Sequence, residues 1–161
     1  MDTRQFRNAL GRFATGVAVI TAKGPEEAPI GMTMSSFNAV SLDPPLVLFS
    51  VDRRANSLPA ILAAEGYAVN VLGQDQQPLS DRFARAGIDK WAGVTHRLGH
   101  AEAPLLEGAI AHFECAPHAV HEAGDHVIVV ARVLRFAACD EAPLIFFGGR
   151  YRGLAGTANT P

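Results

Sequence analysis

Between positions 31 and 57 the chain gathers hydroxyl, amide and guanidinium side chains in a pattern that suits one kind of ligand. Thr33, Ser35, Ser36 and Asn38 are interleaved with Met32, Met34, Phe37 and Ala39, a mixture that neither a strand facing only core nor one facing only solvent requires. Small hydroxyl residues let a backbone approach a flat ligand closely. Beyond the apolar run 46–51 come Arg53, Arg54, Asn56 and Ser57, which supply the donors and positive charge that a phosphate accepts. Ser57 is placed to cap a helix over 58–65, with Pro59 in its first turn and Gly66 as its stop, and that helix N-terminus would add free backbone N–H groups. The segment therefore reads as a site for a planar, phosphorylated ligand. The plainer alternative is an ordinary helix cap beside two surface arginines.

Two other clusters bear on chemistry. Gly124-Asp-His126 sets a polar pair at the mouth of the apolar run 127–131, where His126 either serves a ligand or satisfies a strand-end hydrogen bond. His112, Cys115, His118, His121 and His126 crowd together, yet their spacing suits no single strand face and Pro117 breaks helical alignment. No compact ligand pattern results, and no metal is expected. No Ser/His/Asp or Cys/His arrangement suggests a nucleophile. Gly-x-Gly-x-x-Gly is absent, so a dinucleotide would not rest on a Rossmann fold.

The elements that must position these groups fit one domain over residues 1–161, a length able to bury a core without disulfides. Fourteen basic residues against 16 acidic ones disfavour nucleic acid and anionic membrane as partners. No apolar run is long enough to span a bilayer, and the first residues lack a secretory pattern, so a cytoplasmic location is expected. Cys115 and Cys139 are too few for a disulfide framework and read as small buried hydrophobes. Asp2 and Gln5 open a short amphipathic helix carrying Phe6, Ala9, Leu10 and Phe13. A hairpin follows, from strand 17–22 through a Gly-Pro turn into Met32-Thr-Met34. Strand 40–42 stops at Asp43-Pro-Pro45, beyond which 46–51 reads as a buried strand. Further strands are expected at 67–72, 109–116, 126–135 and 144–147, a helix at 78–86, and mostly loop over 89–107. Many short strands with few helices predict a mainly β fold, closed or sandwiched, with peripheral helices; a barrel is the first choice.

With these segments in order, the chain resembles the short-chain flavin reductase family, the reductase components of two-component flavin monooxygenases. The resemblance is carried by Phe6-Arg-Asn-Ala-Leu-Gly-Arg-Phe-Ala-Thr-Gly16 and its continuation to Thr21, by Gly31-Met-Thr-Met-Ser-Ser-Phe37, and by Ser41-Leu-Asp-Pro-Pro-Leu-Val-Leu48. Asn56-Ser57, Tyr67-Ala-Val-Asn-Val-Leu72, Leu79-Ser80, Arg82-Phe-Ala84 and Lys90-Trp-Ala-Gly93 extend it, as do His121-Glu-Ala-Gly-Asp-His126 and Pro143-Leu-Ile-Phe-Phe-Gly-Gly-Arg-Tyr-Arg152. It implies a split β-barrel of the FMN-binding, Greek-key type, a homodimer, and bound FMN or FAD with NADH or NADPH as hydride donor. FMN and NADH are the favoured pair. A partner monooxygenase would receive the reduced flavin.

Carried over motif by motif, the resemblance places Thr33, Met34, Ser35 and Ser36 along the ring system, with Phe49, Ser50 and Val51 beside them. Asn56 and Ser57 would hold the phosphate, and Arg82, Phe83 and Ala84 would close over the flavin. His126 would lie near the nicotinamide. At Gly149, Arg150 and Tyr151, the tyrosine would stack on nicotinamide or adenine and the arginine would pair with dinucleotide phosphate, unless the segment merely ends the barrel. Lys90 and Trp91 either flank the flavin or are ordinary loop residues. The alternative to a reductase is a non-enzymatic flavin carrier or sensor on the same fold.

Overall fold

The computed structural model describes residues 1–154. It opens with helix α1 (Thr3–Leu10), capped as its sequence predicts: Asp2 Oδ1 accepts the N–H groups of Arg4 (2.8 Å) and Gln5 (3.4 Å). The apolar stripe of this helix finds no core. Phe6, Leu10 and the following Phe13 are 50%, 58% and 75% exposed.

Seven strands form one antiparallel sheet. In chain order they are β2 (Ala18–Lys23), β3 (Pro29–Met34), β4 (Asn38–Leu42), β5 (Pro45–Asp52), β6 (Tyr67–Val71), β9 (Ala111–Ala123) and β10 (His126–Ala138). Their spatial order is β3-β2-β6-β9-β10-β5-β4. The expected hairpin is present as β2 and β3, which pair from Ala18↔Met34 to Lys23↔Pro29. Alternate residues of β5, Val47, Phe49 and Val51, are buried while those between are half-buried, so this strand buries one face and not both as its apolar run suggested. Inward residues of β2, β5, β6, β9 and β10 join one core cluster, among them Ile20, Phe49, Tyr67, Cys115 and Val129, with Ile61 of helix α2 (Leu58–Ala63). Strands this far apart in the sheet share a core only because the sheet coils around it.

The mainly β architecture with peripheral helices is as expected, but the ladder does not close. β3 and β4 are its two edges, joined by residues 35–37. At that gap β4 pairs as far as Asn38↔Leu48, and one step further the Ser36 side chain takes over the ladder. Its Oγ accepts from Ser50 N–H (3.0 Å) and donates to Ser50 C=O (3.2 Å).

A second cluster lies on the other face of the sheet, where Val17, Val19, Leu72, Leu106 and Leu144 pack with Phe83 of helix α3 (Gln77–Ala84). The stretch expected to be loop contains β7 (His96–Leu98) and β8 (Pro104–Leu106), a two-stranded sheet. Buried Asn70 holds β8 in place, donating to Val19 C=O (3.0 Å) and accepting from Leu106 N–H (2.8 Å). A three-stranded sheet completes the fold: β1 (Thr15–Gly16), β11 (Ile145–Phe147) and β12 (Arg150–Arg152), in the order β1-β11-β12. The β11–β12 turn is Gly148-Gly149, with φ of 59° and 75°, the positive values a two-residue hairpin turn of type I′ needs. Among the described residues no helix is long and apolar enough to cross a membrane.

Candidate functional site

The 31–36 segment is held rigidly from behind. A Cβ on Gly31 would stand 2.5 Å from the Phe83 ring, so only glycine allows β3 this close to α3. Lys90 Nζ donates to Gly31 C=O (3.2 Å) and Phe83 C=O (2.9 Å), joining strand to helix, and its partial burial lowers the pKa of the ammonium. Trp91 packs edge-on against Phe83 at 5.0 Å between ring centres. Lys90 and Trp91 thus brace the segment from its rear.

Alternation along β3 then separates the residues that the sequence grouped. Thr33 turns toward α3, where its Oγ1 donates to Ser80 C=O (2.6 Å), while Met34 packs against the main core. Phe49 and Val51 are 0% and 1% exposed, and Phe83 is 1% exposed. Their side chains are committed to core, so what these residues present toward a ligand is backbone. Ser50 is left as the polar residue of its trio, and it holds Ser36. Arg82 Nη1 donates to the carbonyl of Ala92, pinning α3 to the next loop, and Ala84 is exposed at the helix end.

Residues 52–57 also differ from expectation. Helix α2 has six residues, and Ser57 makes no side-chain capping bond; its Oγ instead lies 3.8 Å from Met32 Sδ. Arg54 is bound by Asp52 through Nε–Oδ1 (3.1 Å) and Nη2–Oδ2 (2.8 Å), which lowers the pKa of the Asp52 carboxyl. Arg53 donates to Gly124 C=O (3.0 Å) and pairs with Glu122. Both guanidinium groups therefore meet carboxylates, leaving Asn56, which is exposed, and Ser57 as the donors near β3. His126 faces Asp52 in the β10–β5 register, and its Nδ1 lies 2.7 Å from Asp125 Oδ1, a contact that lowers the Asp125 pKa.

Ser35 and Ser36 open onto a cleft of about 1310 Å³ between α1 with residues 11–15 on one side and the β11–β12 hairpin on the other. Gly149 and Arg150 line it. Tyr151 does not: its hydroxyl shares a 2.8 Å hydrogen bond with Ser80 Oγ, and its ring packs on Phe146. Residues that sequence reading missed complete the walls, including Arg7, Arg12, Phe13 and Arg152. A signal for them existed. Segments 3–22 and 143–154 carry five arginines and no acid in a chain whose net charge is −2.

This donor set fits a planar, phosphorylated ligand. Hydroxyls and guanidiniums line the same cleft, while a Cβ on Gly148 or Gly149 would meet nothing, leaving room against that backbone.

Comparison with known proteins agrees with that chemistry. Residues 10–155 match the model of the flavin reductase like domain. The chain is 47% identical over 150 residues to the FMN reductase (NADH) SmoA of Agrobacterium fabrum, covering 93% of this chain and 85% of that one. It is 38% identical over 164 residues to the flavin-dependent monooxygenase reductase subunit HsaB of Mycobacterium tuberculosis, covering 100% and 87%. The NADH:FAD oxidoreductase SgcE6 of Streptomyces globisporus, solved with NAD and FAD fragments, superposes with a TM-score of 0.92 at 40% identity, covering 98% of this chain and 96% of that one. The open seven-stranded sheet, the braced 31–36 segment and the cleft beside it thus belong to a chain that is a member of the flavin reductase like domain family.

Proposed function

We propose that the protein is an NAD(P)H-dependent flavin oxidoreductase that supplies reduced flavin to a partner monooxygenase. The observation that carries this reading is the cleft of about 1310 Å³ at the end of the braced β3 segment in a chain of this family. A bound flavin, FMN or FAD, supplies the ring that accepts hydride from NADH or NADPH. The protein's part is to bind and align, since hydride transfer requires no protein nucleophile.

Ser35, Ser36 and the backbone of Gly149 offer hydroxyls and close approach at the ring end. Asn56 and Ser57 offer amide and hydroxyl donors for the phosphate, beside Met32 and three residues back along β3, roughly 10 Å from Ser35. His126, with Nδ1 engaged by Asp125, keeps Nε2 for the substrate. A cleft walled by exposed residues lets reduced flavin leave, as a partner oxygenase requires; the HsaB relative is itself a monooxygenase reductase subunit.

A homodimer accounts for the apolar residues left outside. Phe136, 75% exposed, stacks on Phe113 at 6.4 Å and continues the core outward near exposed Leu134. Light scattering is expected to give twice the chain mass, falling to one chain in Phe136→Glu; a wild-type monomer at micromolar concentration would remove the dimer. Two cysteines, both free, suit the reducing cytoplasm in which reduced dinucleotide is available.

The decisive assay crosses FMN and FAD with NADH and NADPH and follows nucleotide oxidation. Saturable dependence on added flavin is expected, with FMN and NADH the favoured pair. No oxidation above background would overturn the reading, and flavin binding without oxidation would make the protein a carrier.

A further inference from the structure

Two of the chain's three methionines occupy alternate positions of the braced strand β3, and each thioether has a serine hydroxyl against it. Met32 Sδ is 3.8 Å from Ser57 Oγ, and Met34 Sδ is 3.6 Å from Ser36 Oγ. Both methionines are half-buried and pack against the main core, and the two serines are half-buried with them. The hydroxyls serve elsewhere: Ser36 closes the ladder onto Ser50, and Ser57 is the donor offered to the flavin phosphate. Thioether sulfur is a weak acceptor and leaves them free for those roles. A sulfoxide oxygen would not. Added at Sδ against an apolar core, it is a polar group that must be hydrogen-bonded, and the hydroxyl already beside each sulfur is the donor at hand.

We propose that Met32 and Met34 form an oxidation site through which hydrogen peroxide weakens flavin binding. The inference rests on the flavin reductase reading, because reduced flavin that no oxygenase takes up passes two electrons and two protons to dioxygen, giving oxidised flavin and hydrogen peroxide. A methionine sulfur lone pair then attacks one peroxide oxygen: the S–O bond forms as the O–O bond breaks, and the second oxygen leaves with both protons as water. With Met32 oxidised, Ser57 turns to the sulfoxide and is lost to the phosphate. With Met34 oxidised, the single hydroxyl hydrogen of Ser36 leaves Ser50 C=O, and residues 35–37 lose part of their anchor. Either change lowers flavin affinity, so a reductase running without its partner slows its own peroxide output. Enzymatic reduction of the sulfoxide restores the thioether.

The test treats the purified protein with hydrogen peroxide, maps one-oxygen mass gains by peptide mass spectrometry and titrates flavin by fluorescence. Met1, fully exposed, reports unselective oxidation. Flavin Kd is expected to rise about tenfold in step with oxygen gained at Met32 or Met34, while circular dichroism shows the chain still folded. Methionine sulfoxide reductase with a dithiol should restore affinity, and the double variant Met32→Leu, Met34→Leu should keep its own untreated affinity through the same exposure. Oxygen gained at Met1 alone, an unchanged Kd after both thioethers are oxidised, or loss of affinity only on unfolding would overturn the site. So would recovery with the dithiol alone, which would assign the effect to exposed Cys139. A protein that oxidises NADH but gains no oxygen at Met32 or Met34 refutes the site alone. One that gains oxygen there and loses flavin affinity, yet never oxidises NADH or NADPH, refutes the reductase reading alone.

Discussion

The hydroxyl of Tyr151 lies 2.8 Å from that of Ser80, and Ser80 is fully buried on α3. The carbonyl of the same serine accepts from Thr33 Oγ1 at 2.6 Å. One residue therefore ties β3, whose end carries Ser35 and Ser36, to β12, which carries Arg150 and Arg152. This link fixes the β12 wall of the cleft relative to its Ser35–Ser36 end.

Tyr151→Phe removes the hydroxyl and leaves Ser80 Oγ buried without that partner. A loss of about 1–3 kcal/mol is expected in urea unfolding. Ser80→Ala should cost a similar amount, and the double variant less than the sum, because the two groups share one interaction. Additive losses would show that the pair is not coupled.

Gly31→Ala places a methyl against Phe83, which cannot swing away because its ring is buried between Gly31 and Trp91. Overpacking of this kind costs about 1–3 kcal/mol. A second change, Phe83→Leu, is expected to recover part of the loss by vacating the ring position. Thermal melts of the single and double variants measure both effects, and an undisturbed Gly31→Ala melt would contradict the close approach.

Ser36→Ala removes the side chain that continues the ladder to Ser50. The Ser50 N–H loses its partner at the edge where the sheet is open, and a cost of about 1–3 kcal/mol is expected. Faster amide exchange at Ser50 than in wild type is the local signature. Flavin affinity should fall with it, since residues 35–37 would lose their anchor; titration by flavin fluorescence reads that directly.

Glu114 gives the acid limit of stability a structural cause. Burial alone would raise its pKa, but Arg135 Nη2 (2.7 Å) and His100 N–H (2.6 Å) outweigh burial and lower it from the ordinary 4.5. A carboxyl whose pKa is lower in the folded than in the unfolded chain binds fewer protons when folded. Its stabilisation is therefore fully present above the unfolded value and is lost as pH falls through the folded one. Stability against urea should decline as pH drops below 4.5, and Glu114→Gln should flatten that decline while lowering stability at neutral pH. An identical pH profile in the variant would assign the acid sensitivity elsewhere.

What the sequence determined by itself was local. Asp2 caps α1 because its carboxylate reaches backbone groups two and three residues away. Gly148-Gly149 turns because two adjacent glycines accept positive φ, and period-two alternation gives β5 its buried face. The order of the motifs from Phe6 to Arg152 also indicated the family. Other features could not be read locally. Motif alone does not say that the side chains of Phe49, Val51 and Phe83 point into core; the phase of each strand or helix decides that. Arg54 looked available as a cation until Asp52 was seen to bind it at both ends. The short β7 and β8 lie in a stretch that reads as loop, and buried Asn70 fastens β8 to the sheet from 36 positions away. Tertiary structure decided which residues share the cleft, because the partners that set it lie far apart in sequence: Ser80 and Thr33 are 47 positions apart, and Ser80 and Tyr151 are 71. Side-chain types can state that a phosphate and a flat ring are welcome, but only long-range packing brings Arg7 of the first helix opposite Arg152 of the last strand.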